Sequence, residues 1–266
     1  MSSRLIPAQT YEIPVHPSTE GYDVLRIAVE KHTYPAPRPL PANLRIAFLW
    51  THGTGFHKEM MHPIMRQFAA QLRATPKYNK VEFDFISWDQ RNHGDSARLN
   101  HGLLGMNTSW YDFGMDTIHI IDTLKLKRDY DKVIGIGHSV GATCMILAQF
   151  AQPGIFDGLC SIEPLVRGRV LDFEHRSKLP PLVVTNACME SLRNRPFWKS
   201  LHPEVLENYV HYGLYTTDDG SVMLKCTKEQ ENLTYWGDAY DSYTAFMSLK
   251  NLSVPLHVVL SDEDNW

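Results

Sequence analysis

A serine that could act as a nucleophile lies at position 139, in the stretch GIGHSVGAT (residues 135–143). Gly137, Ser139 and Gly141 fit the pattern G-x-S-x-G. A serine hydroxyl is a poor nucleophile unless it has an exposed, strained position, a neighbouring base and an oxyanion site. The pattern meets the first of these needs, because glycines on either side of the serine permit a tight strand-to-helix turn.

Backbone N–H groups on two segments are candidates for the oxyanion site. Val140, the residue after the serine, opens a predicted helix whose N-terminal N–H groups favour a developing negative charge. The stretch FLWTHGTGFHKE ends a predicted strand with His52-Gly53 and continues into a loop, so Thr54 or Phe56 could supply the second N–H. We interpret His52 as a residue that braces this loop rather than as the catalytic base.

A third motif, SWDQRNHGDSA, follows the next predicted strand. It fits D-x-R-x-H-G-x-S, with the members Asp89, Arg91, His93, Gly94 and Ser96. We interpret it as a structural turn beside the nucleophile loop, held by an ion pair between Asp89 and Arg91. Direct participation of this turn in catalysis is the alternative.

The elements around these motifs predict an α/β fold. The runs LRIAFLW, VEFDFISW, KVIGIGH, DGLCSIE and PLHVVLS are typical of buried parallel strands, and DVLRIAVEKH alternates like a half-buried one. Two intervening stretches place apolar residues on one helical face: Met61, Ile64, Met65, Phe68 and Leu72, then Met115, Ile118, Ile121 and Leu124. The proline-rich residues 34–44 are predicted to form a loop. This alternation predicts a mostly parallel sheet with helices on both faces.

Composition narrows the classes of function. The 266 residues are 43% hydrophobic with a net charge of −4, as in an ordinary globular domain, and no basic run indicates a nucleic-acid partner. No apolar run is long enough for a membrane span, and the N-terminus lacks a secretory signal, so we expect a soluble intracellular protein. The spacing of the four cysteines is typical of neither a zinc site nor a disulfide framework; they are Cys144, Cys160, Cys188 and Cys226. We expect no metal and no cofactor.

Residues 165–248 depart from the strand–helix alternation. They are polar and helix-prone, carry several aromatic residues, and precede the last predicted strand. An insertion there predicts a helical cap over the site, within a single domain that covers residues 1–266. A helical excursion without a lid role is the alternative.

The three motifs, in this order at the ends of successive predicted strands, resemble those of the α/β-hydrolase superfamily over nearly the whole chain. The stretches SLRNRPFWKSLHPEVLENYVHYGL and VMLKCTKEQE are similar to a fungal subgroup, the peroxisomal lipase-like hydrolases and the hydrolases of host-selective toxin biosynthesis. The resemblance implies a serine hydrolase for a small acyl ester or thioester substrate, such as a fatty-acid-derived toxin precursor. It also implies a peroxisomal location. The final residues are not a peroxisomal signal, and without one we expect a cytoplasmic protein.

The same resemblance implies a catalytic acid and a histidine base. The acid is either Asp264 in LSDED, at the superfamily's usual place, or Glu163 in CSIEP, which could instead be a simple turn carboxylate. The superfamily's histidine follows the last strand, but the last histidine here, His257, lies inside a predicted strand. His138 is expected to face away from the serine hydroxyl. We therefore expect a final strand, helix and histidine loop to be missing. A catalytically impaired protein that binds an apolar ligand is the competing hypothesis.

Overall fold

The computed structural model describes residues 4–37, 44–168 and 192–262. The strands of the main sheet are β1 (Gln9–Pro14), β2 (Arg26–Tyr34), β3 (Leu44–Thr51), β4 (Val81–Trp88), β5 (Lys132–His138), β6 (Gly158–Ile162) and β9 (Leu256–Val259). Strands β7 (Leu214–Thr216) and β8 (Val222–Leu224) form a separate hairpin. Their spatial order is β1-β2-β4-β3-β5-β6-β9. β1, β2 and β4 pair antiparallel, whereas β4, β3, β5, β6 and β9 form a parallel series.

The helices of the described residues lie between these strands. They are α1 (His62–Ala74), α2 (Gly94–Leu99), α3 (Trp110–Thr123), α4 (Leu126–Asp129), α5 (Val140–Ala151), α6 (Pro196–Ser200), α7 (Pro203–Gly213), α8 (Lys228–Trp236) and α9 (Asp238–Ser248). Short 3-10 turns span Lys58–Met61, Pro76–Tyr78 and Leu249–Asn251.

Alternating residues of the central strands pack into two separate cores. In β3, Phe48 and Trp50 join the core that α1 covers, whereas Ala47 and Leu49 join the core that α3 and α5 cover. Successive side chains of a strand point to opposite faces, so a sheet covered on both sides needs apolar residues throughout. The prediction of a mostly parallel sheet with helices on both faces is confirmed.

Local details of the prediction hold to different degrees. The runs VEFDFISW and KVIGIGH coincide with β4 and β5. The apolar stripe of α3 packs into the core as predicted, but in α1 the residue Ile64 is 43% exposed and Ala69 is buried instead. Strand β1 is not predicted, because its sequence QTYEIP is polar and proline-terminated, and it is held through its pairing with β2. Residues 38–43 of the predicted loop lie outside the described residues.

The stretch predicted as a cap divides into two parts. Residues 192–236 form α6, α7, the β7–β8 hairpin and α8. Helix α9 instead packs on the body of the domain, where Ala245 is fully buried in the core shared with α3 and α5. Residues 169–191, with Cys188, lie outside the described residues, and the three described cysteines are free thiols. None of the described helices has both the length and the hydropathy that crossing a bilayer requires.

Candidate active site

The register of the parallel strands brings the predicted site residues to one edge of the sheet. Thr51 at the end of β3 pairs with Trp88 at the end of β4 and with Gly137 in β5. The end of β5 in turn pairs with the end of β6. The residues that follow these strands therefore lie side by side, and they are His52, Asp89, Ser139 and Glu163.

Ser139 connects β5 to α5 in a backbone conformation that residues other than glycine rarely adopt. Its φ is +54° and its ψ is −124°. Its N–H donates to the carbonyl of Ile162 at 2.9 Å, which fixes the turn to the neighbouring strand. Such a conformation costs about 1–3 kcal/mol and persists only where its surroundings hold it. The half-buried side chain is thereby presented at the tip of the turn.

Three glycines allow the segments around Ser139 to approach closely. A Cβ on Gly137 would lie 2.5 Å from the backbone nitrogen of Ala142, and one on Gly141 would lie 2.5 Å from the carbonyl oxygen of the residue after β3. A Cβ on Gly53 would lie 3.1 Å from the Cβ of the serine. Larger side chains at these positions would separate β5, α5 and the loop after β3.

The loop after β3 distinguishes the two candidates for the second oxyanion donor. The Phe56 N–H donates to the Gly53 carbonyl at 3.2 Å and is thus engaged within the loop. The Thr54 N–H has no acceptor among the described residues. The N–H of Val140 opens α5, where the first N–H groups have no intrahelical acceptor. Among the described residues, the N–H groups of Thr54 and Val140 therefore remain available to a ligand, whereas that of Phe56 is engaged within its loop.

Two buried histidines brace this loop. The Nδ1 of His52 lies 2.8 Å from the Gly53 carbonyl oxygen, and its Nε2 accepts the N–H of Gln90 at 3.2 Å. Burial lowers the pKa of His52 to about 3, so the ring is neutral. His93 Nε2 accepts the Gly55 N–H at 2.9 Å, and burial together with the nearby His52 lowers its pKa well below the usual value. Both rings are structural in this arrangement.

The prediction of an ion pair between Asp89 and Arg91 in the third motif is wrong. Arg91 pairs with Asp116, its Nε and Nη2 donating at 2.9 and 2.7 Å. Asp89 instead accepts the backbone N–H of Lys58 at 2.7 Å and its ammonium group at 3.0 Å. Gly94, at a φ of +49°, lies against the Asp89 carboxylate so closely that a Cβ would collide with it. The motif thus forms a turn that is held by Lys58. This lysine belongs to the segment that follows β3 (residues 52–61), which we call the oxyanion loop after the role that the sequence predicts for it.

Lys58 lies at the centre of a buried ionic network. Its side chain is 2% exposed, and its Nζ lies 2.9 Å from Glu59, 3.0 Å from Asp89 and 2.5 Å from Asp95. Burial opposes the charge, but these carboxylates outweigh that effect and raise the pKa of Lys58 well above its usual value. Lys225, which follows β8, also pairs with Asp95. The network therefore joins the oxyanion loop to the segment predicted as a cap.

Glu163 occupies the position beside Ser139 on the neighbouring strand. Its φ is also positive, at +48°. Its N–H donates to the Val259 carbonyl at 2.9 Å, and its carboxylate accepts the N–H of Ser261. Burial lowers the pKa of His138, and the Glu163 charge acts in the opposite direction. Of the two candidate acids, Glu163 thus lies at the turn between β5 and α5 that carries Ser139, the candidate nucleophile; we call it the nucleophile turn.

Among the described residues, no histidine is hydrogen-bonded to Ser139. The ring of His138 stacks on an aromatic ring of the loop after β3. His257 is exposed in the edge strand β9. The other candidate acid, Asp264, and a further histidine, His175, lie outside the described residues.

An aromatic wall beside the nucleophile turn was not predicted from the sequence. Phe56 stacks on His138 with ring centroids 6.0 Å apart and on Phe197 at 6.5 Å, and Trp198 packs on Tyr209 at 4.3 Å. These rings come from the loop after β3, from β5, from α6 and from α7. No local pattern could indicate that they meet.

A carboxylate from α8 also reaches the oxyanion loop. Glu231 Oε1 lies 2.5 Å from the place that a Cβ on Gly55 would occupy. Burial raises the pKa of Glu231, and burial together with Glu231 raises that of Tyr235 to about 12. No local sequence pattern predicts this contact, because the helix and the loop are far apart in the sequence.

Replacement of Glu163 tests whether its backbone is strained. Glycine adopts a positive φ without steric cost, so Glu163→Gly should be more stable than Glu163→Ala by about 1 kcal/mol. Urea unfolding of the two variants, which both remove the carboxylate, measures the difference. An alanine variant as stable as the glycine variant would contradict the strain.

Replacement of Lys58 tests the ionic network. Lys58→Met leaves buried carboxylates uncompensated and should cost about 3–5 kcal/mol at pH 7.5. Although burial raises the pKa of Glu59, Lys58 outweighs it and holds that pKa well below the usual value. The stabilisation from a depressed carboxylate pKa is present above the unfolded-state pKa and is lost as the pH falls.

The destabilisation by Lys58→Met should therefore shrink at pH 5, where the unpaired carboxylates take up protons. Denaturant unfolding of the wild-type and variant chains at both pH values measures this. Lys199→Met, at an exposed position on α6, is the control. An equal loss of unfolding free energy at both pH values would show that Lys58 does not keep these carboxylates ionised.

Comparison with known proteins relates this geometry to a family. Residues 43–218 match the model of the family described as serine aminopeptidase, S33. The peroxisomal membrane protein LPX1 of Saccharomyces cerevisiae is 27% identical over 219 residues, which are 72% of this chain and 56% of that protein. The type I acyl-CoA thioesterase mpaH of Penicillium roqueforti is 28% identical over 145 residues, 54% of this chain and 32% of that protein. The chain thus matches about half or less of these curated relatives.

Solved structures show the same architecture. The peroxisomal α/β-hydrolase Lpx1 of Saccharomyces cerevisiae superposes with a TM-score of 0.79 at 22% identity, over 97% of this chain and 75% of that one. A thioesterase domain from the curacin biosynthetic pathway superposes with a TM-score of 0.64 at 16% identity, over 96% of this chain and 84% of that one. The α/β-hydrolase fold predicted from the three motifs is confirmed.

Proposed function

Because the chain belongs to the serine aminopeptidase S33 family, we propose that it is a serine hydrolase of acyl esters or thioesters with Ser139 as its nucleophile. The observation that carries this proposal is the backbone of Ser139, with its φ of +54° at the strand-to-helix turn. A conformation of that cost, beside two unengaged N–H groups, is typical of a site built for acyl transfer.

In the proposed reaction, Ser139 Oγ attacks the acyl carbonyl carbon and its proton passes to solvent water, since no described base contacts the hydroxyl. The carbonyl oxygen becomes an oxyanion, which the N–H groups of Val140 and Thr54 stabilise. The C–O or C–S bond then breaks, water returns a proton to the leaving alcohol or thiol, and an acyl-serine remains. Water hydrolyses this ester to the carboxylic acid and restores the hydroxyl. We assign Glu163 as the acid that orients the base in this family's scheme.

The aromatic wall supports an apolar acyl group as the substrate. Phe56 and Phe197 are the accessible rings beside the Ser139 turn, and the buried rings of Trp198 and Tyr209 pack behind them. Accessible aromatic surfaces bind apolar chains without requiring a specific polar partner. A thioester is favoured within this class because one relative is named an acyl-CoA thioesterase.

The cellular setting belongs to the same proposal. The likeness to a peroxisomal protein of yeast supports a peroxisomal location. A role in secondary metabolism, including toxin biosynthesis, is part of the same proposal, and the likeness to a thioesterase domain of a biosynthetic pathway agrees with it. Fluorescence of an N-terminal fusion in fungal cells distinguishes a peroxisomal protein from a cytoplasmic one.

Turnover of acyl-CoA and p-nitrophenyl esters by the purified chain tests the proposed function. The described residues include no base for Ser139, so we expect an acceleration of about a thousandfold over the uncatalysed reaction, as an oxyanion site and binding alone sustain. Ser139→Ala should keep this residual rate but lose the acyl-serine that peptide mass spectrometry detects in the wild-type chain. Ser253→Ala, at an exposed serine, should keep the acyl-serine at Ser139.

An acyl adduct that persists in Ser139→Ala would contradict the proposal. Saturable binding of the acyl compounds without an adduct on Ser139 would also contradict it and would support a ligand-binding protein instead. An acceleration far above a thousandfold would place a base in the chain, and replacement of His175 and of His138 by glutamine would then locate it.

A further inference from the structure

Three buried side chains outside the candidate active site face one another between β2 and α1. Glu30 and His32 are two residues apart in β2 and share one face of the strand, and His62 is the first residue of α1. Their exposed fractions are 2%, 3% and 0%. Glu30 Oε2 lies 3.4 Å from His32 Nε2 and 3.5 Å from His62 Nε2, and the two rings pack edge to face at 5.2 Å.

The facing atoms of this cluster lack hydrogen-bond partners. Among the described residues, Glu30 Oε2, both ring nitrogens of His32 and His62 Nε2 are buried without a hydrogen bond. Buried polar atoms are almost always partnered, because an unsatisfied one costs about 1–3 kcal/mol. A group of such atoms, with one from each residue within 4.8 Å of the others, has the composition of a site for an occupant that accepts lone pairs.

We propose that Glu30, His32 and His62 bind a zinc ion. Zinc bonds to imidazole nitrogens and carboxylate oxygens are about 2.0–2.2 Å long, so ligand atoms of a tetrahedral site stand about 3.3–3.6 Å apart. The separations of Glu30 Oε2 from the two ring nitrogens match this value. All three ligand atoms lie within 4.8 Å of one another, which leaves the fourth position for water.

The surrounding charges suit a cation at this point. The other oxygen of the Glu30 carboxylate, Oε1, is held by Arg4 at 2.5 Å and lies 3.8 Å from Lys58, so Oε2 alone is free to bind zinc. Apart from Glu30, the described part of the adjoining network has as many positive as negative side chains. The positive ones are Arg4, Lys58 and Lys225, and the negative ones are Glu59, Asp89 and Asp95. The Glu30 charge is therefore available to the metal.

Zinc binding requires one rearrangement. The Leu5 N–H donates to His62 Nδ1 at 3.2 Å, which places the ring proton on Nε2 in the metal-free chain. A histidine that binds zinc through Nε2 carries its proton on Nδ1, where it acts as a donor. Binding therefore displaces Leu5. The bound ion would then link β2 to the first residue of α1.

The sequence gives no hint of this site, since its ligands follow neither cysteine nor histidine zinc spacing. The ligands are brought together only when β2 and α1 pack.

Metal analysis of the full chain, purified without a polyhistidine tag, tests the proposal. After loading with zinc sulfate and dialysis, plasma mass spectrometry should find about one zinc ion per wild-type chain. His32→Asn and His62→Asn should each lose at least about tenfold in zinc affinity, and His101→Asn, at an exposed histidine, should keep it.

Two further measurements do not depend on the folding of a variant. Zinc, but not magnesium, should raise the Tm of the wild-type chain by about 5 °C or more. Zinc should also speed hydrogen exchange at the Leu5 amide. A wild-type chain that retains less than about a tenth of an equivalent of zinc would overturn the proposal, because the cluster would then be held by protons alone. Unchanged zinc binding in a folded His32→Asn chain would overturn it as well.

Discussion

A serine with a φ of +54° between a strand and a helix is stable only if the surrounding segments hold its backbone in that conformation. The turn is stable only because its N–H is taken by the Ile162 carbonyl and because glycines let α5 and the loop after β3 come within contact distance. The same close approach places the loop after β3 against the Ser139 turn, where a Cβ on Gly53 would lie 3.1 Å from the serine Cβ. The strained backbone of Ser139 and the contact with this loop are thus two consequences of one packing arrangement.

A second layer of interactions holds the oxyanion loop in place. His52 and His93 are neutral because they are buried, and they accept or donate within the loops that follow β3 and β4. Lys58 brings a buried positive charge into the same region, and Asp95 extends the network to Lys225 near the hairpin. The loop is therefore tied both to the sheet and to the segment above it. A site that needs fixed N–H directions benefits from rigid support of this kind.

The sequence predicts the elements whose signal is local. Strands β4 and β5 are recovered residue for residue, because buried parallel strands are short apolar runs bounded by turns. The turn at Ser139 follows from its flanking glycines. Partnerships between distant segments are not predictable in this way: Asp89 was assigned the nearest arginine, whereas its partner is Lys58, thirty-one residues away. Ile64 is exposed although it was expected on the apolar face of α1, because the buried face of this helix is centred on Met65.

The central claim is that Ser139 is a presented nucleophile rather than a strained structural residue. Reaction of the purified chain with a fluorophosphonate, followed by peptide mass spectrometry, tests it most directly. The serine oxygen displaces fluoride from phosphorus and forms a phosphonate ester, and an oxyanion site beside the serine favours this reaction. The account predicts a single adduct on Ser139, in the peptide that contains GIGHSVGAT, and none in a chain with Ser139→Ala. An unmodified Ser139 after prolonged exposure, or an adduct on another serine, would contradict it.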